Sequence, residues 1–284
     1  MKFITVDTVG SPKLDRLKRS CDYHSIPLEV IGLGRPYPHH GVKLHYICEY
    51  LAGLDPEETV MFVDGYDVVF LAGVEEIERK FKAFGREILF STEQNCNVNG
   101  GLRVRFPTWL KYPKAKGPYR FLNSGSYVGK AGRLLELFSQ LRIKPTDSDQ
   151  TVLNRYLVAH SPDIALDCEQ QIFTCTAGRT GLEEQDYRVE DGRLRNVVTD
   201  SLPCVLHCPG KNYIGLEKLV SRLPFAGPVY EPAPDELRRY RKSRFMNRIT
   251  ARLLPDNFLF HLILDGLLLA AGIGVLLAIV AAFL

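Results

Sequence analysis

Residues 59–63, TVMFV, are apolar or β-branched at every position. Alternate side chains of a strand point to opposite faces, so a strand of this composition is buried on both. A sheet with helices packed on its two faces meets that demand. The segment is therefore expected to be a central, parallel strand. KFITV (2–6), LEVIGL (28–33) and EILFS (87–91) read as further strands. Between them, SPKLDRLKRSCDYH (11–24), GVKLHYICEYLAGL (41–54) and VEEIERKFKAF (74–84) repeat their apolar residues at helical spacing. Ser11 before Pro12 supplies an N-cap and a first helical residue. The alternation is that of a doubly wound α/β half-sheet.

The second half is less regular. An Asn-, Gly- and Pro-rich stretch from 94 to 118 reads as a loop, and RFLNSGSYVGK (120–130) as a strand broken by a turn. RLLELFSQL (133–141) reads as a helix. DSDQTVLNRYL (147–157) opens on acids and continues as a helix with Val152, Leu153, Tyr156 and Leu157 inward. Short strands are expected near DIALD, QQIFTC and PCVLH, and no internal repeat is visible. LPFAGPVYEPAPDE, from Leu223, holds four prolines and reads as a linker.

The end of the chain has a different character. Gly266 to Leu284 is 19 residues without a charge. A run of about 20 apolar residues suits a membrane span. Seven basic residues and no acid lie between Arg238 and Arg252, and such charge stays on the cytosolic side. The expected organisation is a globular domain over 1–222, a Pro-rich then basic juxtamembrane linker over 223–257, and a C-terminal transmembrane helix over 258–284. The N-terminus starts directly with a strand and shows no secretory signal, so the globular part is expected in the cytosol. The net charge is +3, and without the seven basic residues it is −4. A mildly acidic domain of this kind excludes a broad surface for nucleic-acid phosphates. The seven cysteines form no CxxC and read as buried thiols in a reducing compartment. A zinc site from Cys204, His207 and Cys208 with Cys168 or Cys175 is a second reading, although its spacing matches no usual pattern.

The chemistry-bearing residues fall at strand ends, where open α/β sheets bind ligands. Asp64 ends the apolar strand, and Asp67 follows across Gly65 and Tyr66. Two carboxylates three apart across a tight turn can share one hard cation, or can serve the turn alone. PCVLHCPGK ends a second strand at His207, a nitrogen ligand better suited to Mn²⁺ than to Mg²⁺. Gly210 lets the backbone approach a phosphate, and Lys211 supplies positive charge.

The chain resembles the glycosyltransferase domain of the procollagen lysyl hydroxylases and their collagen-glycosyltransferase relatives. The matching stretches are TVDT, VIGLG, GVKL, MFVDGYDVVFLAG, ILFSTEQNC, RFLNSGSYVG, DSDQ, LDCEQQIF, RNVVTDSLPCVLHCPGK and NYIG, in order from about residue 3 to 215. The resemblance implies a GT-A-like doubly wound mixed sheet flanked by helices. It also implies a UDP-sugar donor of glucose or galactose, Mn²⁺, and an acceptor hydroxyl. Asp64, Asp67 and His207 match the metal ligands. Tyr66 matches an aromatic residue stacked on the uracil, and Thr5 and Val6 fall where the base is held. Lys43 matches a basic residue near the phosphates. Asn123, Ser124 and Gly125 line the sugar site. Asp147 and Asp149 match an acidic run near the transferred sugar, interrupted here by Ser148, and are the candidate catalytic residues. Glu93, at a strand end, faces the same cleft in this reading. Each keeps a plain structural alternative: Tyr66 as turn packing, Lys43 as a solvated helix start, Asp149 as an acid matched to a helix dipole. Asn97 stands where the family has a tryptophan, so donor chemistry carries over more directly than acceptor identity. The hydroxylase domain is not matched. A catalytically idle, membrane-anchored binding protein and a UDP-sugar hydrolase are the rival functions.

Overall fold

The computed structural model describes residues 1–160, 164–176, 183–209, 213–228, 231–253 and 257–282. In chain order the elements are β1 (Lys2–Val6), α1 (Asp15–Tyr23), β2 (Leu28–Ile31), α2 (Gly41–Leu51), β3 (Thr59–Val63) and β4 (Val68–Phe70). Next come α3 (Val74–Phe84), β5 (Ile88–Glu93), α4 (Gly101–Lys111), β6 (Phe121–Lys130), α5 (Ala131–Gln140) and α6 (Asp149–Ala159). The last are β7 (Ala165–Leu166), β8 (Phe173–Cys175), β9 (Tyr187–Glu190), β10 (Arg193–Asn196), β11 (Val205–His207), α7 (Tyr213–Val220), α8 (Pro234–Leu253) and α9 (Asn257–Ala282).

Six strands form the main sheet in the order β2-β1-β3-β6-β5-β7. β3 lies inside it and is dry on both faces. Val60 and Phe62 join the apolar cluster under α2, α5 and α6, while Met61 and Val63 join the cluster under α1 and α3. The strand is parallel to β1 but antiparallel to β6, so the expectation of an all-parallel half-sheet holds on one side only. Double-sided burial reports coverage by helices, not strand direction, and β6 enters from the irregular half of the chain. A smaller sheet, β4-β11-β8, stands beside the first, with β11 antiparallel to β4 and parallel to β8. Its outer face packs on α7 and on the β9–β10 hairpin through Val69, Leu71, Leu206 and Leu194.

Several local expectations are corrected. β6 runs unbroken for 10 residues, and the supposed turn is a bulge. Phe90 pairs with Tyr127 but Ser91 pairs with Asn123, which leaves Ser124, Gly125 and Ser126 out of the β5 ladder. Those residues turn to β3 instead, where Ser126 pairs with Val63 and the Gly125 carbonyl accepts from the Asp64 N–H at 2.8 Å. The stretch 94–118 contains α4, which accommodates Pro107 in its interior. Val104 and Trp109 pack against the core, and that burial overrides the loop-like composition. The 11–24 segment is a 3₁₀ turn over Pro12–Leu14, capped by Ser11, followed by α1. At α6, Leu153 and Leu157 are buried as expected, with Val152 and Tyr156 only partly so. Leu223 and Phe225 are buried against the smaller sheet, so domain packing continues into the proline-rich stretch. The basic stretch beyond it is helical, within α8.

α9 is 26 residues long. Among the described residues no helix is long and apolar enough to cross a membrane. Arg105 of α4 pairs with Asp265 of α9 at 2.7 Å.

Candidate active site

Two connections bring the first three candidates together. β3 ends at Val63, and the tight turn Asp64–Asp67 leads straight into β4. β4 pairs with β11, setting Val68 opposite His207, and the Cys208 N–H donates to the Asp67 carbonyl at 2.8 Å. His207, 143 residues downstream of Asp64 in sequence, is thereby placed against the turn. His207 Nε2 lies 3.3 Å from Asp67 Oδ1 and 3.9 Å from Asp64 Oδ2. One ligand atom from each of the three residues lies within 4.8 Å of the others. Ligand atoms held about 2.1 Å from one ion are at most about 4.2 Å apart, so closure by a few tenths of an ångström suffices. No cysteine belongs to this group, and the zinc reading finds no support among the described residues. None of the seven cysteines is in a disulfide, and five are buried.

The imidazole is prepared for a cation. Asn123 Oδ1 accepts from the Gly125 N–H at 2.9 Å, which fixes that atom as the oxygen. His207 Nδ1, 3.0 Å from the same oxygen, must therefore donate to it. In the neutral ring the proton therefore sits on Nδ1, and the lone pair of Nε2 faces the two carboxylates. Nε2 is buried and has no hydrogen-bond partner. An orphaned, buried nitrogen facing two carboxylates is the donor set of a divalent ion, with Asn123 in the orienting role common behind metal-bound histidines. Gly125 leaves room for it. A Cβ there would stand 2.7 Å from Asp64 Oδ2 and still closer to His207 Cε1. Burial raises the Asp64 pKa, as do the charges of Asp67 and Asp149, against Lys43 and His207. Burial lowers that of His207, but Asp67, Asp64 and Glu93 outweigh it and the net shift is upward.

Lys43, on the first turn of α2, is 6% exposed and bridges two acids. Its Nζ lies 2.8 Å from Asp64 Oδ1 and 3.0 Å from Asp149 Oδ2. Burial would lower its pKa, but Asp149 and Asp64 hold it well above the ordinary lysine value. It is not a solvated helix-start residue. Asp149 opens α6 behind Ser148, whose hydroxyl accepts from the Thr151 N–H. Asp147 is turned elsewhere: its carboxylate accepts from the Lys144 N–H at 2.9 Å and closes its own turn. The two candidate catalytic acids are thus separated, and Asp149 alone joins the Lys43–Asp64 bridge.

A cavity of about 370 Å³ opens beside Asp64 and Asp67, within the range of small-molecule sites. Val6, Thr8 and Val9 are part of its lining, and Tyr66 borders it with a half-buried ring. The Tyr66 hydroxyl donates to Asp7 Oδ1 at 2.8 Å. Asp7 in turn accepts the N–H groups of Val9, Gly10 and Ser11, which shapes the loop after β1. Thr5 is fully buried behind this wall, with its hydroxyl unpartnered. Gly210 and Lys211 lie outside the described residues.

Sequence reasoning missed three contributors, Gln150, Tyr37 and His40. Gln150 accepts from the Ser124 N–H at 2.7 Å and donates to Glu93 Oε1 at 2.6 Å, joining α6 to the bulge and to β5. Asn97 donates to Glu93 Oε2 at 3.0 Å. Glu93 is 1% exposed, and burial pushes its pKa up to about 8 despite the hydrogen bonds and His207. Tyr37 and His40 line the cavity from the loop before α2, where their only signal was an aromatic and a histidine among prolines.

A model of the PLOD GT domain family matches residues 1–226, and the chain belongs to that family of glycosyltransferase domains. Among curated proteins, procollagen-lysine,2-oxoglutarate 5-dioxygenase 1 of Mus musculus is 30% identical over 237 residues, covering 78% of this chain and 32% of its own length. The Homo sapiens multifunctional procollagen lysine hydroxylase and glycosyltransferase LH3 is 29% identical over 237 residues, covering 78% and 31%. The chain thus spans about a third of the length of the curated relatives it matches. Among solved structures, a galactosyltransferase LgtC complex with donor and acceptor sugar analogues aligns with a TM-score of 0.42 and 11% identity. That alignment covers 84% of this chain and 100% of the other.

Proposed function

We propose that this chain transfers a hexose, glucose or galactose, from a UDP-sugar to an acceptor hydroxyl, with Mn²⁺ held by Asp64, Asp67 and His207. The observation that carries the reading is a shared wall: Asp64 and Asp67, grouped with an orphaned imidazole nitrogen, border the same cavity as the Tyr66 ring. That arrangement suits a ligand with a flat base at one end and a metal-bound diphosphate at the other. An imidazole ligand favours Mn²⁺ over Mg²⁺. When bound, the ion would neutralise the diphosphate and stabilise the charge that develops on departing UDP.

The chain's own residues would divide the rest of the work. The Tyr66 ring would stack on uracil, with Val6 and Thr5 behind the base. Lys43, shared between Asp64 and Asp149, would move its charge to a phosphate oxygen as the ion takes up Asp64. Lys211, after Gly210, would add a second cation on the phosphate side. Asn123, Ser124 and Gly125 would form the floor under the sugar. Asp149, released from Lys43, would orient the sugar or accept the proton of the incoming hydroxyl. Asp147 is the weaker candidate because its carboxylate is engaged in its own turn. On the acceptor side, Asn97 holds Glu93 where the family carries a tryptophan, so the acceptor pocket of this chain is its own.

The C-terminal segment is proposed as a single-pass membrane anchor with the globular domain in the cytosol. Its support is the uncharged run from Gly266, the basic α8 before it, and the exposure of Leu267, Leu268, Leu269, Ile273 and Val275 on α9.

The test of the chemistry is UDP release from a panel of UDP-sugars, with product analysis. Release should require Mn²⁺, stop with EDTA, and be lost in Asp64→Ala, Asp67→Ala and His207→Ala proteins that still fold. Full turnover after EDTA would sink the metal reading. Free sugar as the sole product would make the chain a hydrolase. UDP binding without turnover on any donor would leave a binding protein.

A further inference from the structure

α4 turns apolar side chains to water and is tied to α9 by an ion pair. We propose that α4 rests on an anionic lipid surface and so fixes how the globular domain sits over the membrane, an inference that rests on the reading of α9 as an anchor.

The level of α4 follows from that ion pair. Asp265 is the last charged residue of the chain, and Gly266 to Leu284 carries none. A carboxylate is costly inside a bilayer, so a span made from the uncharged run leaves Asp265 at the headgroups. Arg105 Nη1 reaches Asp265 Oδ2 at 2.7 Å, with the two side chains 21% and 22% exposed. Asp265 and Gly266 are half-buried, and every residue from 267 to 275 is exposed. α9 thus leaves the globular domain where its uncharged run begins, and the helix it leaves from is α4. That places α4 at the edge of the bilayer.

The surface of α4 suits this place. Arg103, Phe106, Pro107, Leu110 and Lys111 are exposed and recur at helical spacing. Phe106 is 41% exposed and Leu110 64%. Thr108 is buried, while Val104 and Trp109 pack against the core and hold the helix in place. The Phe106 and Trp109 rings stack with centroids 6.3 Å apart. Charge agrees with the apolar pattern. Arg103, Lys111, Lys114 and Lys116 are exposed, and no acid occurs between Glu93 and Glu136. Apolar tips among cations are the pattern of a segment seated on anionic headgroups. Nucleic-acid phosphates would draw the cations but give Phe106 and Leu110 nothing to enter. Two apolar side chains and four cations are too few to hold the domain alone, since stable anchoring takes more than one signal. α9 holds the chain, and α4 orients it.

The chain has a single tryptophan, so one fluorescent probe can be moved about the full-length protein. Trp109→Phe is combined with Phe106→Trp in one protein and with Tyr23→Trp in another. Tyr23 is exposed on α1, which packs on the opposite face of the main sheet from Val104 and Trp109. Each protein is reconstituted into vesicles of phosphatidylcholine with brominated acyl chains, with and without phosphatidylserine. In chains that resist carbonate extraction, bromine should quench the probe at 106 several-fold more than the probe at 23, and more strongly with phosphatidylserine. Wild-type Trp109, beside Phe106, should follow the same trend without any substitution. Lys111→Glu with Lys114→Glu should reduce the quenching at 106 and leave carbonate resistance intact. Equal quenching at 106 and 23 overturns the proposal, as does quenching at 106 that neither phosphatidylserine nor the charge reversal changes. Removal of the full-length chain by carbonate would instead overturn the anchor reading, and the proposal would fall with it.

Discussion

Gly125→Ala is the sharpest single-atom probe of the candidate metal site. The glycine lies in an extended strand, and its φ is not among the positive ones, so the backbone accepts alanine. The damage is steric alone. The new methyl would stand 2.7 Å from Asp64 Oδ2 and closer to the His207 ring, where carbon contacts settle at about 3.5–4.0 Å. One of those groups must retreat by about 1 Å. If the ring moves, its 3.0 Å hydrogen bond to Asn123 leaves hydrogen-bond range and Nε2 loses its aim. If Asp64 moves, its bridge to Lys43 goes with it. Overpacking of this kind costs about 1–3 kcal/mol of stability. Disturbing the groups that orient a metal ligand costs about 10–100-fold in affinity. The expected result is a folded protein with a lower melting temperature and Mn²⁺ binding weakened by that factor, measured by calorimetry. Gly117→Ala, with nothing within 4 Å of its added Cβ, serves as the silent control. Unchanged Mn²⁺ affinity in Gly125→Ala would refute the idea that His207 and Asp64 hold the ion from these positions.

Glu93 binds its proton up to about pH 8 in the folded chain, against an ordinary value of 4.5. The native state then holds the extra proton across that window, so this residue's effect runs opposite to that of a salt-bridged carboxylate: stability is highest below about pH 4.5 and falls as pH rises to about 8, by at most a few kcal/mol. Thermal melts of metal-free wild type and Glu93→Gln from pH 5 to 9 should show a shallower decline in the variant, and parallel curves would contradict the assignment. Removing residues 257–284 should release a domain that still binds UDP and no longer floats with lipid vesicles; a full-length chain that stays soluble without detergent would rule out the proposed anchor.

How much of this was legible in the sequence depends on what each residue's role required. β3 could be read because an apolar residue at every position has one explanation, burial on both faces, and Met61 and Phe62 do face opposite clusters. The turn Asp64–Asp67 could be read because its chemistry is local. The direction of β6 could not, since a buried strand looks the same from either end. Nor could its bulge: Asn123 to Ser126 read as a turn because Asn, Ser and Gly are turn residues, yet they sit in a strand that has lost one partner and gained another. α4 was hidden by Pro107 and its glycines, which are penalties on a free helix but are offset here by the packing of Val104 and Trp109.

Charge was the least legible property, because it emerges only on folding. Asp64, Asp67, Glu93 and Asp149 span 86 positions of sequence and arrive on three different elements or turns. Among the described residues the structure places around them one lysine, Lys43, already divided between Asp64 and Asp149, and one histidine, His207, whose Nε2 faces two of the acids. Asp64 and Asp67 line the cavity, Asp149 meets Asp64 through Lys43, and Glu93 is buried deeply enough to keep its proton at neutral pH. Acids crowded to this degree raise one another's pKa, as Asp67 and Asp149 do for Asp64 after burial itself. That is a cost to the fold that packing alone gives no reason to accept. A cavity wall with this excess of carboxylate and one unpartnered imidazole nitrogen makes chemical sense when a divalent cation completes it.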